Sequence, residues 1–476
     1  MYKVFCILIP ALLTQFSGIS QDPLPAVIER DTLLTEEGSP YFIEQSISIN
    51  SGITLEINPG TQIIISDGVI ITNQGRLIIQ GSEEKRVLFT SDSPETRWNY
   101  ISNEGSLYAS HLMIRRAVRF VNSVGDTLII EHCDISDTFG GAGDDCIAAH
   151  DAKKVIIRNT SLTGNPETGK TDAIDLDGVS GGTVSGNTIS GYSDDGIDIG
   201  TGSSNMVIGK NEIHFCDMGI SVGEGSTALV YRNLVSHSNA GIQSHTGAVV
   251  VARLNTLYGN NYGIRAFHYD GQESSGGAIY VSSSIISGSV LGDVIGVSNS
   301  TVLFEYTLTD MVLLDGTGNI TGSAGFLDAE NGDFRLSPDS DAIDAGNPDL
   351  DGDGLDYLVD QDDRDPDGTR LDMGCYPYSH TSTAVEEISV LNRPVRMDPS
   401  GKVLFLDVEE ETGTGIRVGI YTITGVLLRS VDFQALGGRE TKVWNPRLEN
   451  PGAYVIRVTV QDRLGLREGS QLIIFR

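Results

Sequence analysis

Short runs of apolar residues at alternate positions recur along most of the chain, and turn-forming residues separate them. The stretch 249–259, VVVARLNTLYG, is typical: short runs of alternating apolar residues end at a glycine. This alternation predicts β-strands with one buried face, because successive side chains of a strand point to opposite sides. Glycine makes up 56 of the 476 residues, which adds many turns and argues for little helix.

From residue 145 onward, one isoleucine returns at nearly constant spacing. It follows a small residue each time, at Ile147, Ile174, Ile197, Ile220, Ile242 and Ile264. By subtraction the intervals are 27, 23, 23, 22 and 22 residues, and the long one spans NPETGK (165–170), which we interpret as a loop insertion. A period of about 22 residues predicts the coils of a parallel β-helix, one of the solenoid folds.

A second mark recurs out of phase with the first, at Asn159, Asn187, Asn211, Asn233 and Asn255. Stacked side-chain amides can hydrogen-bond from coil to coil and satisfy buried backbone groups at a turn. A leucine-rich repeat is the competing solenoid, but it needs leucines at fixed offsets and a helical segment in each unit, and the repeats show neither. We therefore predict an all-β parallel β-helix.

The first and last coils carry a family resemblance. Residues 46–82 and 87–92 resemble the opening coils of secreted bacterial β-helices, and 325–378 resembles the segment that commonly closes them. The chain from about 30 to 378 thus resembles right-handed parallel β-helix proteins of the pectate-lyase-like class. The resemblance implies a right-handed β-helix over 21–330 and a closing segment over 331–378. It leaves the activity open, because this scaffold carries many activities.

The two ends of the chain resemble export signals. Residues 1–20 combine Lys3, an apolar stretch and small residues, as in a cleavable signal peptide. After a polar linker over 379–396, the short strands of 397–476 predict a small β-sandwich. Within it, 418–430 and 448–462 resemble the C-terminal sorting domain of type IX secretion substrates in Bacteroidetes-type bacteria. That resemblance implies the type IX secretion machinery as a partner and an extracellular or outer-surface location; a carbohydrate-binding or spacer sandwich is the alternative.

Charge and cysteine content narrow the function. The formal net charge of −32 argues against nucleic acids and anionic membranes, because both bind basic patches, and favours cations or sugars presented with calcium. No further segment has the roughly 18 consecutive apolar residues of a transmembrane helix. We also expect the protein to be a monomer. The remaining cysteines fit neither a disulfide framework nor a zinc site, and we expect small buried side chains. They are Cys133, Cys146, Cys216 and Cys375.

The segment DLDGDGLDYLVD (349–360) has the pattern of a calcium loop. Asp349, Asp351 and Asp353 occupy positions 1, 3 and 5, Gly354 takes position 6, and Asp360 takes position 12. Hard oxygen ligands at alternate positions, with glycine at the sharp turn, suit Ca²⁺. Because the last ligand is Asp instead of the bidentate Glu of an EF-hand, the loop is closer to a dockerin-like or thrombospondin-type loop. We predict a structural calcium ion here; a solvated acidic loop is the alternative.

Carboxylates concentrate beside the repeated isoleucine. If the isoleucines face inward, the residue after each faces outward. This outward column contains Ala148, Asp175, Asp198, Ser221, Gln243 and Arg265. Asp145, Asp172 and Asp195 stand two residues before the isoleucine. Adjacent coils lie about 4.8 Å apart, so neighbouring carboxylates repel by about 1 kcal/mol in water and several-fold more near a protein surface. We expect a cation or raised pKa values to compensate.

One interpretation of this face is a hydrolase. The order TDAID, DDGID and GISVGEGS on consecutive coils resembles the polygalacturonase series, in which three aspartates perform inverting hydrolysis. By position these catalytic residues would be Asp172, Asp194 and Asp195, and Arg265 would replace the family's substrate-binding basic residue. The resemblance is incomplete, because Thr171 stands where that family has asparagine and Met218 replaces its histidine.

The second interpretation is a polysaccharide lyase. Calcium on Asp172, Asp175, Asp195 and Asp198 would neutralise a uronate carboxylate and acidify its α-proton. Arg265 or His245 would then be the catalytic base. Epimerisation of uronates uses similar chemistry and is an alternative outcome.

The third interpretation is a non-catalytic adhesin or glycan-binding solenoid. Asp–Gly pairs are good turn formers, and acids on a β face discourage edge pairing. Histidine and arginine, however, join the acids only near the middle coils, and this locality favours a site. We predict that the site recognises an acidic polysaccharide and, as a calcium-assisted lyase, cleaves it. The predicted substrate-binding residues are Asp175, Asp198, Gln243, Phe267, His268 and Tyr269.

Overall fold

The computed structural model describes residues 22–380, apart from 168, 270–274, 298 and 362, and seven strands between 396 and 475. The predicted signal peptide (1–20) and most of the predicted linker (379–396) lie outside the described residues. The chain divides into two units after Ser379.

Three long parallel sheets run the length of the first unit, and each coil contributes one short strand to each sheet. Sheet 1 contains Val27–Ile28, Ile47–Ile49, Ile70–Asn73, Tyr100–Asn103, Val121–Ser123, Ile147–His150, Ile174–Asp177, Ile197–Gly200, Met218–Val222, Ala240–His245, Tyr262–Phe267 and Gly292–Gly296. Sheet 2 contains Thr32–Leu34, Thr54–Ile57, Arg76–Gln80, Ser106–Ser110, Thr127–Glu131, Lys154–Arg158, Thr183–Ser185, Met206–Gly209, Thr227–Tyr231, Val249–Arg253, Ala278–Ser282 and Thr301–Glu305. Sheet 3 contains Tyr41–Ile43, Gln62–Ile65, Val87–Ser91, Leu112–Ile114, Asp134–Ser136, Ser161–Thr163, Thr188–Ser190, Glu212–His214, Leu234–Ser236, Thr256–Tyr258, Ile285–Ser287, Leu308–Thr309 and Ile320–Thr321. This is an all-β parallel solenoid of about twelve coils, and the predicted fold class is confirmed.

The repeated isoleucines form one column of sheet 1. Ile147, Ile174 and Ile197 are paired in register, and the column continues through Ile220, Ile242 and Ile264. All six are fully buried in the core. Because side chains alternate along a strand, the next residue of each strand lies on the outer face, as the sequence pattern predicts.

A ladder of asparagine amides connects successive coils between sheets 2 and 3. The Asn187 and Asn211 amides each donate to Oδ1 of the asparagine one coil further on, at 2.9 Å. The same oxygens accept backbone N–H groups at 3.0 Å, so each amide also caps a buried turn. The prediction was wrong for Asn159, which is exposed at φ 51°, because the neighbouring Thr160 occupies the ladder position and donates its backbone N–H to Asn187.

The closing segment folds back along the solenoid after the last coil. It contains an antiparallel pair of strands, Phe326–Asp328 and Asp333–Leu336, joined by a 3-10 turn at Ala329–Asn331. Another 3-10 turn, Glu36–Gly38, lies in the first coils. Further on, the Cys375 N–H donates to Thr256 Oγ1 at 3.0 Å, and the Gly374 N–H donates to the Ser283 carbonyl at 2.8 Å. The segment therefore covers coils that precede it by about a hundred residues.

Two antiparallel sheets make up the described part of the second unit. One contains Arg396–Met397, Leu404–Glu410 and Gly438–Trp444, and the other contains Leu427–Gln434, Gly415–Thr422, Gly452–Asp462 and Gly465–Phe475. These sheets fit the predicted small β-sandwich. Within the described ranges no helix is long and apolar enough to span a bilayer. The four cysteines are free and buried, as expected.

Candidate functional site

An acidic cleft of about 490 Å³ lies on the outer face of sheet 1, over the coils that carry the repeated aspartates. Its walls combine eight carboxyl groups with one lysine, one arginine and one histidine. The lining residues are Lys170, Asp172, Asp175, Asp177, Asp194, Asp195, Asp198, Gly200, Asp217, Met218, Ser221, Gly223, Glu224, Gln243, His245, Arg265, Phe267 and Tyr269. This excess of negatively charged groups attracts cations to the cleft.

Backbone hydrogen bonds fix the aspartates that precede each strand. The carboxylate of Asp145 accepts the Asp172 N–H at 2.9 Å, and the carboxylate of Asp172 accepts the Asp195 N–H at 2.7 Å. Each aspartate therefore caps the start of the next coil. Local chain geometry and coil stacking together hold these carboxylates in one row.

Two groups of three carboxylates are close enough to share an ion. One carboxylate oxygen from each of Asp172, Asp175 and Asp198 lies within 4.8 Å of the others, and the same holds for Asp172, Asp194 and Asp195. Two ligands of one Ca²⁺ at about 2.4 Å each can be at most about 4.8 Å apart. The residues present therefore fit calcium, which takes six to eight oxygen ligands, several of them from carboxylates.

The same crowding perturbs proton binding. Burial and the neighbouring Asp195 raise the pKa of Asp172 to about 10. Burial and the charge of Asp177 raise the pKa of Asp175 to about 8. Burial also raises the pKa of Asp198 to about 7, although a hydrogen bond with Ser221 opposes the rise. Without a cation, protons must occupy part of this cluster at neutral pH.

The other half of the cleft carries amide, imidazole, guanidinium and aromatic groups. Gln243 Nε2 donates to Ser221 Oγ at 2.9 Å, while its buried Oε1 has no hydrogen-bond partner in the described protein. The His245 ring is buried beside Tyr269, with centroids 4.9 Å apart, and burial lowers the pKa of His245. The Arg265 guanidinium lies 4.2 Å from the ring centre of Phe267. Hydrogen-bonding and stacking groups therefore face the carboxylates across the cleft.

Two glycines leave room for these side chains. A Cβ at Gly223 would lie 2.1 Å from the His245 ring, and a Cβ at Gly200 would lie 2.5 Å from Asp177 Oδ1. Both glycines stand in the outward column three residues after the repeated isoleucine. Their lack of a side chain opens the floor of the cleft between the acidic and the aromatic halves.

All the site residues predicted on this face line the cleft except His268, whose Nδ1 lies 3.2 Å from the Tyr269 carbonyl oxygen. The predicted loop at 349–360 belongs to the closing segment and contributes nothing to the cleft. The predicted site residues did not include several residues that line the cleft, among them Asp177, Asp217, Ser221, Lys170 and Glu224. Lys170 comes from the insertion and its Nζ lies 3.3 Å from Asp194, and Glu224 comes from the turn after Met218–Val222. The insertion was a usable signal, because loop insertions in solenoids collect on one face.

Comparisons with known proteins agree with the fold. The family model described as "Right handed beta helix region" matches residues 116–302, which include every strand of the cleft. No curated protein matches the chain.

Solved structures that resemble the chain include two lyases and an epimerase by their titles. An alginate lyase from Paenibacillus sp. str. FPU-7 is 14% identical, with 52% of this chain and 93% of that chain covered and a TM-score of 0.33. The pectate lyase Pel9A is 11% identical, with 68% and 89% covered and a TM-score of 0.33. The periplasmic alginate epimerase AlgG is 12% identical, with 58% and 83% covered and a TM-score of 0.38.

Proposed function

We propose that the protein binds an acidic polysaccharide through calcium held in the acidic cleft and cleaves it by β-elimination. The observation that carries this proposal is the group Asp172, Asp175 and Asp198, whose carboxylate oxygens lie within 4.8 Å of one another inside a cleft that also presents His245 and Arg265. Because residues 1–20 resemble a signal peptide and 397–476 resemble a sorting domain, we also propose that the protein acts outside the cell.

Charge decides the kind of cofactor. A polyuronate is repelled by a cleft with eight carboxyl groups unless a cation lies between them. When bound, calcium supplies positive charge to the substrate carboxylate and so makes the proton on the adjacent carbon more acidic. Asp172, Asp175 and Asp198 would hold the ion, and Asp195 adds a further carboxylate beside it.

Of the two predicted bases, the structure favours His245. Arginine stays protonated in proteins, whereas the pKa of His245 is lowered by burial and by the charge of Arg265, so the imidazole is neutral at neutral pH. Its Nδ1 lies 3.1 Å from Thr246 Oγ1. With the Nδ1 proton donated to that hydroxyl, Nε2 carries the lone pair that accepts a proton. Arg265 is then free to bind a second carboxylate of the chain.

The aromatic wall fits a sugar ring. Tyr269 and Phe267 have ring centres 5.1 Å apart at an angle of 83°, and Tyr269 is about half exposed. Exposed aromatic faces bury the apolar side of a sugar while the hydroxyl groups keep polar partners such as Gln243. The cleft is lined by residues from five consecutive strands of sheet 1, so its length suits a chain that lies across several coils.

Inverting hydrolysis fits the aspartates less well. Oxygens of Asp172, Asp194 and Asp195 lie within 4.8 Å of one another. An inverting pair needs carboxyl groups roughly 6.5–9.5 Å apart to leave room for the attacking water. The short separation supports a shared cation.

The test uses the full chain with a panel of polyuronates and neutral glycans, in calcium and in EDTA. Ultraviolet absorbance reports unsaturated products of elimination, and reducing ends report any cleavage. We expect calcium-dependent absorbance from a polyuronate, a loss of at least about 100-fold in kcat for His245→Gln, as expected for a general base, and a loss of calcium dependence for Asp198→Asn. Asp126→Asn, an exposed acid outside the cleft, is the matched control.

Reducing ends without absorbance would contradict elimination and favour the hydrolase. Calcium-dependent binding of a polyuronate without cleavage would leave a glycan-binding protein. Failure of all polyuronates to bind in calcium would overturn the proposal.

A further inference from the structure

A second group of carboxylates lies in the closing segment, outside the acidic cleft. One oxygen from each of Asp349, Asp351 and Asp363 lies within 4.8 Å of the others, and Asp351 also forms such a group with Asp353 and Asp360. Asp363 is not part of the loop pattern in the sequence. Its Oδ1 accepts the Leu350 N–H, and this bond holds Asp363 beside Asp349 and Asp351.

The turns of the loop already direct its carboxylates inward. Asp349 accepts the N–H groups of Gly352 at 2.9 Å and Gly354 at 3.1 Å, one with each oxygen. Asp351 accepts the Asp353 N–H at 3.0 Å. These bonds use one lone pair of each oxygen, so each oxygen keeps a second one for a cation.

Asp363 provides an independent sign of a ligand. Its side chain has 0% exposure, and Oδ1 accepts the Leu350 N–H at 2.6 Å. Its other oxygen, Oδ2, is buried with no hydrogen-bond partner in the described protein. In the described parts of the chain, neither Asp363, Asp349 nor Asp351 forms an ion pair with a basic side chain. A buried carboxylate oxygen without a donor is costly, and a cation beside it removes that cost.

The loop is tied to the solenoid on both sides. Before it, the Asn347 N–H donates to Ser283 Oγ at 2.8 Å and the Asn347 side chain donates to Glu305 at 3.0 Å. After it, Asp365 forms an ion pair of 3.4 Å with Arg232. Asn347 and Asp365 thus attach the two ends of the loop to the coils. An ion bound by Asp349 and Asp363 would link the loop to itself between these two attachment points.

We propose that the closing segment holds its own calcium ion, bound by Asp349, Asp351 and the buried Asp363, and that this ion fastens the segment to the solenoid. Asp353 and Asp360 form a neighbouring group, which shares Asp351 with this one. Calcium fits better than Mg²⁺, because it accepts a larger and less regular set of oxygen ligands. This site is separate from the acidic cleft, and its role is structural.

The test isolates the closing-segment site in the full chain. The variant Asp172→Asn/Asp175→Asn removes at least one carboxylate from each group of the cleft that could share an ion, and calcium binding is then measured by titration calorimetry. We expect calcium to bind more tightly than magnesium, to raise Tm, and to protect 349–363 from limited proteolysis. Adding Asp363→Asn, which keeps an oxygen for the Leu350 N–H, should weaken calcium binding at least about tenfold and abolish the rise in Tm.

Asp339→Asn is the matched control, because Asp339 is an exposed acid of the same segment outside both groups. It should leave the affinity and the rise in Tm unchanged. If Asp363→Asn prevents folding, as judged by circular dichroism, the exposed Asp351→Asn replaces it with the same expected loss. Unchanged calcium affinity in these variants, or no calcium binding once the cleft is removed, would overturn the proposal.

Discussion

The replacement Asp198→Asn tests whether the aspartates of the cleft are there to hold a cation. Oxygens of Asp172 and Asp175 lie within 4.8 Å of Asp198. At 4.8 Å one such ionised pair costs about 1 kcal/mol in water and about 3.5 kcal/mol at an effective dielectric constant of about 20. In the absence of calcium the substitution removes this repulsion, so we expect the free energy of unfolding to rise.

The sign of the pH dependence follows from the raised pKa. The pKa of Asp198 rises from 3.8 in the unfolded chain to about 7 in the folded one. The folded state therefore binds the proton more tightly, and the ionised carboxylate destabilises it increasingly as pH rises from about 4, with the full effect above pH 7. The gain from Asp198→Asn should be near zero at pH 4 and about 1–4 kcal/mol at pH 9.

Calcium should shift the difference in stability towards the parent protein. Urea unfolding at pH 9 in EDTA should show the variant to be more stable than the parent protein. At about 100-fold excess of calcium over Kd, the parent gains about 2.7 kcal/mol from the cleft, which the variant does not. Calcium in the closing segment stabilises both proteins equally and cancels in the difference. Equal destabilisation by Asp198→Asn in EDTA and in calcium would refute the reasoning and make Asp198 a structural partner of Ser221.

Three further predictions follow from the same contacts. Lowering the pH from 8 to 6 should weaken calcium binding to the cleft in the Asp363→Asn protein. Protons compete with calcium at Asp175 and Asp198, because the pKa values of these carboxyl groups rise to about 8 and about 7. Calorimetry in two buffers should also detect the release of protons on calcium binding, and a Kd that does not change with pH would contradict this prediction. Asn211→Ala should lower the free energy of unfolding by about 3 kcal/mol or more, because it removes the four hydrogen bonds of the Asn211 side chain and leaves buried polar groups without partners; urea unfolding measures this, and a loss under about 1 kcal/mol would count against the ladder. Burial raises the pKa of the Cys216 thiol to about 12, so the reactive thiolate is scarce in the folded protein. Cys216 should therefore react with a thiol reagent only as fast as the chain unfolds, and rapid labelling of the native protein would contradict its burial.

The sequence was most informative where one residue type repeats with the coil. Ile174 and Ile197 set the register, and the residues after them, Asp175 and Asp198, then had to be outward neighbours on adjacent coils. The prediction failed where the chain slips by one residue. Asn159 has the residue type of the ladder and nearly the expected spacing, yet Thr160 occupies the ladder position. The insertion at 165–170 lengthens the interval to the next asparagine, so the spacing does not distinguish residue 159 from residue 160.

Residues that reach a site from segments without the coil repeat could not be predicted from the spacing of the repeat. Lys170 reaches Asp194 from the insertion, and the direction of such a loop depends on its packing. Asp363 lies beside Asp349 because its Oδ1 accepts the Leu350 N–H, and a loop pattern in the sequence ends at Asp360. The pKa values of Asp172 and Asp175 likewise depend on burial, which spacing does not give.

The sequence by itself determined the parallel β-helix, the inward and outward faces of its strands, and the row of carboxylates on sheet 1. It could do so because a solenoid converts sequence period directly into spatial neighbours. Only the tertiary structure decided which carboxylates lie within 4.8 Å of one another, that His245 lies buried beside Tyr269, and that Asp363 lies beside the acidic loop of the closing segment. These features depend on contacts between segments without a common period, and such contacts are fixed by packing and burial in the folded chain.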